Sequence, residues 1–141
     1  MTAGRLLAWA PALLYMALIW VLSSLSLAPS LLDDFPLRDK GAHAIEYAVL
    51  GLLIAHATRR SWPERAAWRT AALALLLTIL WGLVDEIHQA FVPGRGADVL
   101  DLAADSIGAL FGVGARAAVA LAGRGKPERA KPIAELESAR T

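Results

Sequence analysis

The sequence predicts an all-α integral membrane protein: a bundle of four transmembrane helices with both termini cytoplasmic. Three observations carry that prediction. Charged residues make up only 19% of the 141-residue chain, against about 25% in an ordinary soluble domain. The charges cluster, which leaves long apolar runs between them. Basic residues are also spread unevenly over the segments that join those runs, and this bias orients membrane helices. The chain has no cysteine, which excludes a disulfide framework and a thiolate metal site. A net charge of +1 without a basic stripe argues against nucleic acid as a partner.

Residues 6–27 form the first span, a charge-free run of 22 residues that reaches roughly 33 Å as a helix. That matches a hydrocarbon core of about 30 Å. Arg5 precedes the run as it would in a signal peptide, but the run exceeds a normal signal core. Ala28-Pro29 is also a poor cleavage context, so the segment reads as a retained span. Residues 28–40, with Pro29, Asp33, Asp34 and Pro36, read as a short loop. The second span covers residues 41–58 and carries His43, Glu46 and Tyr47 in its first two turns. An arginine-rich connector follows, then a third span over residues 68–91 that turns polar only at Asp85-Glu86-Ile87-His88-Gln89. A turn at Pro93-Gly94 leads to the fourth span, residues 98–121. The membrane domain is therefore residues 1–122, and residues 123–141 are a polar cytoplasmic tail.

Four spans alternate in direction, so the connectors sort by side. Arg5, Arg59, Arg60, Arg65, Arg69 and Arg116 fall on one side with the tail's Arg124, Lys126, Arg129, Lys131 and Arg140. Only Arg38, Lys40 and Arg95 fall on the other. The richer side is the cytoplasm. His43, Glu46 and Tyr47, Asp85 to Gln89, Arg95, and Asp98, Asp101 and Asp105 then share the outer side.

Helical phase points these groups inward. His43, Glu46 and Tyr47 are three and four residues apart and share a face, as do Glu86 and Gln89. Asp98, Asp101, Asp105, Gly108 and Gly112 make one stripe. Its Gly108-x-x-x-Gly112 is the small-residue pattern that lets membrane helices approach backbone to backbone. Each acid left to lipid would cost roughly 2.5–3.5 kcal/mol on insertion scales. Glu46, Glu86 and Asp105 are therefore expected in one pocket with His43.

Three blocks then stand in order: Asp39-Lys40-x-x-His43-x-x-x-Tyr47, Glu86-x-x-Gln89-x-Phe91-x-Pro93-x-Arg95, and Asp98-x-x-Asp101-x-x-x-Asp105-x-x-Gly108. Together they resemble the VanZ-like family of bacterial membrane proteins over the second to fourth spans, and Ser23-Ser24 fits the same pattern. Asp105 departs from it, since the family more often has Asn there. The resemblance implies a small multi-pass helical protein of the bacterial plasma membrane. It also implies a link to glycopeptide resistance, through the founding member and teicoplanin, but no established reaction.

The expected function is a site open to the outer leaflet that binds or modifies a cell-envelope lipid, a lipid-linked precursor or a glycopeptide-related ligand. His43, Glu46 and Glu86 are the candidate acid/base residues. Lys40, Tyr47, Gln89, Arg95, Asp101 and Asp105 are the candidate binding residues, with Lys40 and Arg95 on a phosphate or carboxylate. No cofactor is indicated. His with carboxylates at this spacing suits a divalent metal, although no H-E-x-x-H pair is present. The competing functions are a proton- or ion-coupled transporter and a non-enzymatic membrane partner. Structural roles compete as well. Asp98 and Asp101 would make a capping box, Arg95 would pair with one of them, and Asp85 and His88 would face headgroups.

Overall fold

The computed structural model describes residues 3–25 and 36–124, and every regular element among them is helical. The first apolar run forms two consecutive pieces, α1 (Ala3–Leu7) and α2 (Ala10–Ser23). Pro11 explains the interruption: it has no N–H to give and sits in the first turn of α2, where none is needed. Bonds from Trp9 N to Leu6 O and from Leu13 N to Trp9 O, both 3.0 Å, carry the backbone across it. Three long helices follow: α3 (Pro36–Ser61), α4 (Ala67–Gln89) and α5 (Val99–Arg124).

The helix ends differ from the expected span limits by up to five residues, most at the start of α3. Residues 36–40, read as loop, begin α3, because Pro36 fits the first helical position without losing a backbone bond. Helix α5 also runs past residue 121 to Arg124. The end of the expected first span (26–27), the rest of the expected outer loop (28–35) and the rest of the expected tail (125–141) lie outside the described residues.

Three segments are long and apolar enough to cross a membrane: Ala3–Ser23, Ala67–Gln89 and Val99–Gly123. The protein is thus a multi-pass membrane protein. Helix α3, expected as the second span, is long enough but less apolar than these three. Charges at both its ends, from Arg38 to Glu46 and at Arg59 and Arg60, break its hydrophobic run.

Sequence pattern and packing agree on which faces turn inward. Leu14, Leu76, Leu83, Ile87, Leu110 and Phe111 face outward, while His43, Thr58, Thr78, Asp85, Glu86 and Asp105 are buried. Apolar groups outside and polar groups inside are the arrangement lipid demands, since an exposed apolar surface of this extent would be unstable in water. Helices α3 and α5 run parallel and approach most closely. A Cβ added to Gly108 would meet the Ala44 carbonyl, and one added to Gly112 the Ala48 carbonyl. From the other side, a Cβ on Gly51 would come within 2.9 Å of Ala109 O. The Gly-x-x-x-Gly pair therefore marks a backbone crossing with α3. Helix α4 lies antiparallel to both and places its C-terminal end beside the start of α3 and α5. Helix α2 closes the bundle: Trp9 Nε1 donates to Ser61 Oγ at 2.8 Å at one end, and Ser23 reaches α4 at the other.

Candidate functional site

At the end of the bundle where α2 and α4 finish and α3 and α5 start, three polar groups lie side by side. The first joins α2 to α4. Ser23 Oγ donates to Asp85 Oδ1 at 2.6 Å, and Gln89 Nε2 donates to Asp85 Oδ2 at 2.9 Å. One turn on, Ser24 Oγ shares a 2.8 Å hydrogen bond with His88 Nε2. The His88 ring stacks on Trp20 with centroids 3.8 Å apart.

The second group joins α3 to α5. Lys40 Nζ donates to Asp98 Oδ2 at 2.8 Å and to Asp101 Oδ1 at 2.6 Å. Asp98 Oδ1 accepts from Leu100 N at 2.8 Å, as a helix-capping residue does. Asp98 lies outside the spans, and its carboxyl is held below the ordinary carboxylate range, first by the Lys40 ammonium and then by the Leu100 N–H. The capping box expected with Asp101 is not formed. Asp101 is turned to Lys40, and the Asp98 N–H donates to Glu86 Oε2 at 2.7 Å, so a carboxylate from another helix takes that role.

The third group is central. His43 Nδ1 and Asp105 Oδ1 share a 3.0 Å hydrogen bond, and ligand atoms of His43, Glu86 and Asp105 all lie within 4.8 Å of one another. Glu86 is 4% exposed and Asp105 fully buried, yet Glu86 Oε1, Asp105 Oδ2 and the Tyr47 hydroxyl have no hydrogen-bond partner among the described residues. Buried polar groups are nearly always satisfied, so three orphans in one place call for an explanation. Gly82 makes the room: a Cβ there would stand 3.1 Å from Asp105 Oδ2 and 3.2 Å from Tyr47 Cε1.

Of the residues singled out from sequence, His43, Glu86 and Asp105 come together. Lys40 and Asp101 stand beside them in an ion pair, Tyr47 flanks Asp105 across Gly82, and Gln89 holds Asp85. Glu46 is half-buried and outside the central trio. Arg95 leaves a tight turn in which Arg95 N bonds Val92 O at 3.0 Å and Gly94 takes φ +81°, with proline before glycine as a type II turn requires. Its guanidinium reaches Leu25 O at 3.4 Å and joins no salt bridge among the described residues, so the expected pairing with Asp98 or Asp101 gives way to Lys40.

Asp85 is the residue that sequence reasoning misplaced. Expected at the headgroups, it is 1% exposed and at the heart of the α2–α4 network. The available signal was Ser23-Ser24 at the end of the first run, two hydroxyls needing acceptors at the same depth.

The VanZ/LLP1 family profile matches residues 9–119, which takes in α2, α3, α4, most of α5 and every residue of the site. The chain belongs to the VanZ/LLP1 family. Curated proteins and solved structures contain no match to it. Within this VanZ/LLP1 chain, the buried polar group of His43, Glu86 and Asp105 is the feature with most chemical capacity: one imidazole and two carboxyls, drawn from three helices.

Proposed function

We propose that this VanZ/LLP1 chain is a protein of the bacterial plasma membrane, with α3 as a fourth span and both termini cytoplasmic. Its polar end opens to the outer leaflet and binds the headgroup of an envelope lipid or lipid-linked precursor. The observation that carries this reading is the gathering of three unpartnered buried oxygens, Tyr47 Oη, Glu86 Oε1 and Asp105 Oδ2, at one end of the bundle. Arg95 supplies the cation for an anionic headgroup, since Lys40 is already bound by two aspartates. His43 and Glu86 are the groups placed to exchange a proton with a bound ligand, and Gln89 keeps Asp85 from competing for Arg95.

A relay crossing the membrane would need ionisable groups along the whole interior. Beyond Gly82 the buried polar side chains include Thr58, Thr70 and Thr78, whose hydroxyls bond backbone carbonyls. That favours a one-sided binding site over a transporter. Native mass spectrometry of the full chain in mild detergent tests the reading. The wild type should retain one polar lipid that a Glu86→Gln/Arg95→Gln variant releases, and equal retention by both refutes it. A reporter fused after Thr141 should be active only as a cytoplasmic fusion, and outer-side activity would reverse the orientation.

A further inference from the structure

We infer that the central group is a site for one divalent transition-metal cation, Zn²⁺ or Mn²⁺, ligated by His43, Glu86 and Asp105. This rests on reading that end of the bundle as a binding site, and it names what joins a headgroup to it. The three residues come from α3, α4 and α5, and their ligand atoms already lie within 4.8 Å of one another. His43 Nδ1 and Asp105 Oδ1 are hydrogen-bonded at 3.0 Å, which ties two of the three residues together from different helices.

A second observation points the same way. Each acid uses one oxygen within the protein, Glu86 on the Asp98 N–H and Asp105 on His43. Each leaves the other oxygen buried and unpartnered. The engaged oxygen fixes the carboxylate's direction, as hydrogen-bonded outer partners do for metal-ligating carboxylates. The charge balance is also asymmetric. Lys40 is committed to Asp98 and Asp101, and no lysine or arginine among the described residues pairs with Glu86 or Asp105.

Ligand type selects the ion. An imidazole beside two carboxylates departs from the all-oxygen shell that Ca²⁺ and Mg²⁺ favour, and the chain has no thiolate to offer. Three protein ligands leave coordination positions open for a phosphate or carboxylate oxygen. Gly82, beside Asp105 Oδ2, keeps that side free of a side chain.

The test uses the full chain in mild detergent, stripped by a chelator and titrated with Zn²⁺ or Mn²⁺ alone, with no lipid added. Saturable binding of one equivalent is expected. His43→Ala, Glu86→Gln and Asp105→Asn should each weaken it at least about tenfold, while Ser61→Ala at the opposite end should not. Absence of saturation up to about 1 mM, or binding that survives all three substitutions, overturns the inference. Where those variants fail to fold, Mn²⁺ paramagnetic resonance on the wild type decides: coupling to an imidazole nitrogen supports the site, and its absence overturns it. Because lipid is left out, loss of metal binding with lipid retention intact would sink this inference and spare the headgroup reading. Metal binding without lipid selection would do the reverse.

Discussion

The two ends of the bundle solve the problem of buried polarity differently. Where α3 ends and α4 begins, the buried groups are hydroxyls. Thr58 donates to Ala55 O and Thr70 O, both at 3.2 Å, Thr70 to Ala67 O at 2.9 Å, and Ser61 accepts from Trp9. These groups carry no charge, and the threonines find an acceptor on a nearby backbone. At the other end the buried groups include carboxylates, most of their partners come from other helices, and three oxygens have none among the described residues. A fold that needed only adhesion would use the first solution twice. The second, with its unpartnered oxygens, is more than adhesion requires.

The largest effect is expected where the two ends are held together. Gly112→Leu would drive a side chain into the Ala48 carbonyl, and overpacking costs typically about 1–3 kcal/mol, with a backbone contact this close placing it at the upper end. Thermal unfolding in detergent should show a large loss, and an unchanged midpoint would break the account of the α3–α5 crossing. Next comes the α2–α4 network. Asp85→Ala leaves the Ser23 hydroxyl and the Gln89 amide without their acceptor and should cost about 2 kcal/mol. If it costs no more than Ser61→Ala, the contrast between the ends collapses. Ser61→Ala itself should cost about 0.6 kcal/mol, the average for a hydrogen bond between membrane helices, and leave lipid retention unaltered.

The smallest effect is a pH dependence at the rim. The Asp98 carboxyl is held low in the folded protein, chiefly by Lys40, and unfolds to an ordinary value of about 3.9. Its stabilising contribution is therefore complete above that value and disappears as pH falls through the lower folded one. Unfolding midpoints measured from pH 5 down to 3 should fall more steeply for wild type than for Asp98→Asn. Parallel curves would remove Asp98 from the rim's electrostatics.

Much of this was legible in the sequence. Charge-free runs give the helices because lipid excludes charge. Spacings of three and four bring His43, Glu86 and Asp105 inward because each helix has one face free of lipid. The spacing of small residues gives the crossing at Gly108 and Gly112. What stayed hidden depended on two helices at once. Asp85 and Glu86 are neighbours some 100° apart around α4, and phase alone cannot say that both are covered, one by α2 and one by α5. Likewise, Asp101 stands at the right offset to cap its own helix. Only the packing shows that Lys40 claims Asp101 while Glu86 takes the N–H. Glu46 shares a stripe with His43 and is half-buried, outside the group of His43, Glu86 and Asp105 whose ligand atoms converge.

The bond from the Asp98 N–H to Glu86 Oε2 bears on how this protein can drift in sequence. The donor belongs to the backbone, so nearly any residue at position 98 would supply it, and proline alone would not. The charge of the rim can thus be retuned at position 98, gaining or losing its tie to Lys40, without turning the central carboxylate.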